Sequence, residues 1–211
     1  MTLRIYGPAA SRTFRTLWMA EELGLEYEHV PTPFSPEGTG SAAFLAINPN
    51  GKVPVIDDDG FVLSESMAIN LYLARKHEKK GLAPKEFHTT ARAVQWTFWA
   101  VSELEQPFII WARHAGALPG FGHVSEREPR DEEAAAGAAK QLERPLGVLD
   151  GELAKRPYLV GDSFTVADLN VASICYRALW LKPPARPNFS AWLERCYERP
   201  AAKKARGMRE G

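Results

Sequence analysis

NPNGKVPVIDDDGFVLSES, residues 48–66, sets a proline inside VPVI, a run that otherwise has the apolar, β-branched composition of a strand. Proline cannot donate to a sheet ladder, so it belongs at an edge, at a first strand position or where the chain turns. DDDG, between VPVI and FVLS, is a hairpin signal, because its last residues tolerate the left-handed dihedrals of a tight turn. The stretch therefore predicts two antiparallel strands entered through a proline, with a helix opening immediately afterwards at ESM.

Upstream, LRIY (residues 3–6) and YEHV (27–30) read as strands on either side of a helix over 12–23, which Gly24 ends. SAAFLAI gives a further short helix. Downstream, ESMAINLYLARKHEKK places Met67, Ala68, Leu71, Tyr72 and Ala74 on one face and Asn70, Arg75 and Glu78 on the other, the pattern of a helix laid on a sheet. Residues 1–80 thus form a compact α/β domain. GLAPKEF (81–87) reads as a linker, and beyond it strand signals stop. Helical patterns over 88–114, 131–154, 166–181 and 189–198 make residues 87–211 an all-helical domain, with a kink expected at Pro145.

The 211 residues carry 26 Lys plus Arg and 26 Asp plus Glu, so no global field draws the chain to nucleic acid or to an anionic membrane. Two cysteines, both in helical segments, fit a reducing compartment better than a disulfide framework. The amino terminus enters a strand at once, without a leader, and no apolar run reaches membrane-spanning length; the expected location is cytoplasmic. The five histidines lack metal-ligand spacing, and there is no phosphate loop or dinucleotide fingerprint, so neither metal nor nucleotide is expected.

In order and spacing, SRTFRTLWMAEELGLEYE, NPNGKVPVI, ESMAINLYL and YLVGDSFTVADLNVAS resemble the cytosolic glutathione S-transferase superfamily over nearly the full chain, and within it the serine-type, bacterial-like members. The resemblance implies a thioredoxin-like N-terminal domain, a mixed four-stranded sheet with helices, that holds glutathione. It implies an all-helical second domain that helps form a site for an apolar electrophile, a homodimer, and a role in detoxification. It also implies a cis bond between Val53 and Pro54, presenting the Val53 main chain to a peptide as a neighbouring strand would.

Glu65 and Ser66 occupy the first turn after the last strand, where backbone N–H groups and the helix dipole attract an anion. Ser66 suits the γ-glutamyl carboxylate and Glu65 the ammonium beside it; alternatively Glu65 only complements the dipole and Ser64 is the cap. Lys52 fits the glycyl carboxylate, or is a solvated lysine. The resemblance makes Ser11 the catalytic hydroxyl, with Tyr6 and Thr13 as competitors, although serine at a helix entrance is also a good N-cap. A hydroxyl donating to the glutathione sulfur, with positive potential from Arg12, Arg15 and the helix terminus, stabilises thiolate without ionising the serine. Phe34, Phe108 and Trp111 are candidates for the electrophile site, and residues 116–130 for a cover over its mouth. FTVADL reads as structural: Thr165 and Asp168 form a capping box, with Phe164 stapled to Leu169. Peroxide reduction, thiol oxidoreduction or isomerisation on the same fold, or a transferase-like binding module without activity, are the competing functions.

Overall fold

The computed structural model describes residues 2–114, 130–181 and 186–211. These residues form two compact units: those of 2–83 with 200–211, and those between 84 and 199.

In the first unit, β1 (Leu3–Tyr6), β2 (Tyr27–Val30), β3 (Val55–Asp58) and β4 (Phe61–Ser64) make one sheet in the order β2-β1-β3-β4. β1 runs parallel to β2 and antiparallel to β3, and β3 antiparallel to β4, as a mixed sheet requires when β1 and β2 are joined by a helical crossover. The crossover is α1 (Phe14–Leu23), ended by Gly24 at φ 60°. Six of its buried side chains are apolar, and Trp18 and Leu17 are fully enclosed. The hairpin forms where DDDG places it, with Asp59 at φ 53° and Gly60 at φ 91°, both positive as a two-residue primed turn demands. α2 (Ala42–Ile47) is capped by Ser41, whose Oγ accepts from Phe44 N–H, and α3 (Ser66–Lys76) follows β4. Val55 and Ile56 of β3, with Ile69 and Leu73 of α3, belong to the buried core.

The second unit contains α4 (Phe87–Ala100), α5 (Gln106–His114), α6 (Glu132–Leu153), α7 (Val166–Ile174), the short α8 (Ala178–Leu181) and α9 (Pro187–Tyr197). The pattern over 88–114 is two helices joined by a wider, π-type turn at Val101–Glu105. Pro107 explains the change: it has no N–H to give and its ring crowds the preceding turn, so regular helix cannot enter it. Pro145, by contrast, lies inside the unbroken span of α6. Among the described residues no helix is long and apolar enough to cross a membrane.

Pro200–Glu210 is an additional helix, α10, and it groups with the first unit rather than with the helices before it. By its contacts the helical unit therefore ends at Arg199. Ala202 and Ala205 are fully buried, Lys204 Nζ meets Glu21 of α1 at 2.8 Å, and Met208 Sδ lies 3.8 Å from the Tyr27 hydroxyl. A Pro at N1 followed by Ala, Lys and Arg carries the helix signal in the sequence. Its partner surface is more than 170 residues distant and carries none.

The capping box forms as expected. Asp168, with no exposed surface, accepts from Leu159 N–H (2.9 Å), Thr165 N–H (3.0 Å), the Thr165 hydroxyl (3.1 Å) and the Trp192 indole (3.0 Å). Burial pushes its carboxyl up while these four bonds pull the other way. Phe164 packs edge-on against Tyr158 and beneath the Arg199 guanidinium. Replacing Asp168 by alanine leaves at least three buried donors without acceptors, so stability falls by about 3 kcal/mol or more. Urea unfolding checks this, and a loss under about 1 kcal/mol contradicts it.

In the first unit, Asp58 of β3 is buried and accepts from Lys76 Nζ and from the Tyr72 hydroxyl of α3 at 2.7 Å. Burial alone would raise its carboxyl; the two donors and the Lys76 charge outweigh it, leaving the group below its ordinary range. The stability this contributes is present above the unfolded value of about 3.9 and is lost as pH falls through the lowered folded value. Asp58→Asn is therefore expected to cost about 1 kcal/mol at neutral pH. The gap to the parent protein closes in acid, and a gap independent of pH contradicts the assignment.

Candidate active site

Three chain segments meet at Gly7. This residue follows β1 with φ 125°, where a side chain is strained, and its N–H donates to Val30 O at 2.9 Å while its carbonyl accepts from His29 Nε2 at 2.8 Å. A Cβ here would fall inside contact distance of Thr13 Oγ1 and 2.7 Å from Val53 Cβ. Glycine thus lets the turn after β1 pass directly against the loop that precedes β3.

That turn, Ala9–Thr13, carries Ser11 in an extended conformation (φ −104°, ψ −164°) between helical neighbours. The Ser11 hydroxyl is half-buried and lies 2.7 Å from Pro8 O and 2.9 Å from Thr13 Oγ1, and it accepts from Thr13 N–H at 3.1 Å. Having one proton, it can serve only one of the two acceptors at a time. Thr13 is fully buried, behind Ser11. Tyr6 packs its ring edge-on against Phe44 of α2. Arg12 is exposed, whereas Arg15 is 5% exposed.

The Val53–Pro54 bond is cis, as the resemblance implies. Pro54 is buried, Val53 half-buried, and the ladder of β3 begins two residues after Val53. The loop before them is shaped by Asn48, 5% exposed, whose Nδ2 donates to Lys52 O at 2.7 Å and whose Oδ1 accepts from Asn50 N–H at 3.2 Å. The Lys52 side chain is exposed.

β4 ends at Ser64, so the capping role offered for that serine is not taken: Glu65 holds the N-cap position of α3 and makes no side-chain capping bond. Glu65 has φ 71° and ψ 108°, a conformation that costs a non-glycine residue roughly 1–3 kcal/mol. The Glu65 side chain is exposed, while Ser66 is 5% exposed, with Oγ accepting from Arg15 Nη1 at 3.3 Å. Asn70 Nδ2 in turn donates to Arg15 O at 3.3 Å. The openings of α1 and α3 are therefore joined through one buried guanidinium, which adds positive potential beneath Ser66. Asn48 is not singled out by the sequence, and Asn70, expected on the polar face of its helix, is fully buried, because its side chain is drawn to the Arg15 carbonyl.

The electrophile-site candidates divide. Phe34 is 66% exposed in the loop after β2, and Trp111 is half-exposed on α5. Phe108 has no exposed surface and is a core residue of the helical unit, which removes it as a ligand wall. Of the proposed cover over 116–130, residues 116–129 lie outside the described residues.

These features coincide with likeness to known proteins. The glutathione S-transferase N-terminal domain model matches residues 1–75, and the C-terminal domain model matches residues 109–200. Glutathione S-transferase GstB of Escherichia coli K12 is 34% identical over 194 residues, 90% of either chain, and glutathione S-transferase 3 of Zea mays is 34% identical over 215 residues, covering 96% of this chain and 92% of its own. A solved theta class glutathione S-transferase of Xanthomonas axonopodis pv. citri, with glutathione bound, superposes with a TM-score of 0.82 at 30% identity over 96% of each chain. With both domains matched in series, and relatives a third identical along almost their whole length, the chain belongs to the cytosolic glutathione S-transferase superfamily.

Proposed function

We propose that this glutathione transferase holds the tripeptide across the three segments joined at Gly7, and that Ser11 stabilises its sulfur as thiolate. The Val53 main chain pairs with the cysteinyl unit as an added strand. Ser66 and the α3 terminus take the γ-glutamyl carboxylate, Glu65 its ammonium, and Lys52 the glycyl carboxylate. The single observation that carries this reading is the convergence at Gly7 of the Ser11 turn and Val53, with Ser66 tied through Arg15 to the helix that follows that turn.

The chemistry follows from the Ser11 hydrogen bonds. Redirecting its proton from the Pro8 carbonyl to a sulfur anion gives up a neutral bond of ~1 kcal/mol for a charge-assisted one of ~1.5–3 kcal/mol. Thr13 Oγ1–H can then donate to Ser11 Oγ, keeping both hydroxyls satisfied. Added to ~0.3–1 kcal/mol from the helix terminus, the gain corresponds to about 1–2 pKa units. A thiol ordinarily near ~8.5 then titrates at about 6.5–7.5, so that about a quarter to three quarters of it is thiolate at neutral pH. Its proton leaves to water, and a sulfur lone pair forms the bond to an electrophilic carbon. A leaving group departs with its electron pair or, in an addition, the adjacent carbanion takes a proton from water. No covalent enzyme intermediate is needed. Phe34, 66% exposed on the same unit as Ser11, provides accessible apolar surface for the electrophile. We propose the chain acts in the cytoplasm, in detoxification, as a homodimer. Supporting the last is a stripe on α4 of Phe87, Val94 and Phe98, spaced on one helical face and 83%, 36% and 69% exposed.

Ser11→Ala is expected to raise the thiol pKa of bound glutathione by about 1–2 units and to lower kcat about 10- to 100-fold. The KM for glutathione should stay within about twofold. The ultraviolet absorbance of the bound thiolate, followed against pH, checks the first; an unchanged titration transfers the role to another residue. Glu65→Ala should instead raise the KM for glutathione about tenfold or more at nearly constant kcat. An unchanged KM removes the ammonium contact.

A further inference from the structure

The last turn of α10 reaches back to the turn that carries Ser11. Arg209 Nη1 donates to the Ser11 carbonyl at 2.9 Å, and the guanidinium lies 5.4 Å from the centroid of the Phe14 ring. Arg209 is 7% exposed, an unusual degree of burial for an arginine in the last turn of a helix. Other cations of this helix meet carboxylates: Lys204 pairs with Glu21 at 2.8 Å and Arg206 with Glu210 at 3.0 Å. Arg209 gives a charge-assisted bond to a main-chain oxygen. That oxygen belongs to the one residue of the turn whose dihedrals leave the helical region. Extended backbone at Ser11 is what separates its hydroxyl from the helical path, and such a conformation persists only where surrounding groups hold it.

We propose that Arg209 is a positioning residue for the reaction, holding the Ser11 turn through the Ser11 carbonyl and the Phe14 ring that opens α1, so that the serine hydroxyl is held ready for the sulfur. The proposal rests on the reading of Ser11 as the thiolate donor. It differs from that reading in assigning part of the effect to a helix that contributes no atom to the ligand.

The test uses the full chain with glutathione and chlorodinitrobenzene. Arg209→Met keeps the length and the apolar stem but loses the donor and charge. It is expected to raise the bound thiol pKa by about one unit and lower kcat about tenfold, with the KM for glutathione within about twofold. Arg209→Lys, which keeps charge without the planar fork, should recover part of both. Lys204→Met breaks a different tie of the same helix and should lower the melting temperature while leaving thiol pKa and kcat at parent values. Because Arg209 acts through Ser11, Ser11→Ala with Arg209→Met should be no slower than Ser11→Ala alone.

Parent-like pKa and kcat in Arg209→Met overturn the proposal. So does a Lys204→Met variant that reproduces the defect, or a double variant whose losses multiply. Should Arg209→Met fail to fold, Arg209→Lys decides: a raised thiol pKa supports the clamp, and a parent value overturns it. If Ser11→Ala is itself silent, the reading of Ser11 fails; if Ser11→Ala is impaired and Arg209→Met is not, only the clamp fails.

Discussion

The absence of one Cβ organises the glutathione-binding unit. At Gly7 the chain leaves β1 with φ 125° and passes so close to Thr13 and Val53 that no other residue fits without displacing one of them. Everything required of the site follows from that approach. The serine turn and the proline loop, 40 residues apart in sequence, become adjacent walls, and His29 and Val30 of β2 hold Gly7 from the other side through its carbonyl and its N–H. Polar groups tie the arrangement together: Asn48 closes the proline loop on itself, and Arg15 and Asn70 join α1 to α3. Binding a flexible tripeptide on walls already in place leaves less ordering to be done at the moment of association.

Polar burial has a different meaning in the second unit. Asp168 sits among four donors; its work is to fix the start of α7 against the loop at Leu159 and against Trp192. A buried, perturbed carboxylate is often a catalytic signature. Here the donors are main-chain and indole groups that a structural cap would recruit. In the first unit the strained group is Glu65, at positive φ and exposed, which suits a residue held out to meet a ligand rather than one packed for stability.

Much of this was legible in the sequence where local chemistry decides the outcome. VPVI and DDDG announce the proline entry and the hairpin, because few residues tolerate those dihedrals, and FTVADL announces its cap, because the bonds close within three positions. Reading failed where distant packing decides. Pro107 changes the helix type of the turn before it, Phe108 is drawn into the core, and Ser64 gives up the cap to Glu65 because the strand pairing of Val55 with Ser64 continues to that residue. α10 has ordinary helix-forming residues, yet its destination on α1 and the contact between Arg209 and Ser11 span 198 positions and leave no local trace.

The central claim is that the sulfur of bound glutathione is stabilised as an anion by the hydroxyl of Ser11. A crystal structure of the protein with glutathione tests it most directly. The account predicts the sulfur within about 3.5 Å of Ser11 Oγ, that hydroxyl turned away from Pro8 O, and the cysteinyl main chain paired with Val53. A sulfur contacting Tyr6 in place of Ser11, or directed out to solvent with the Ser11–Pro8 bond intact, contradicts it.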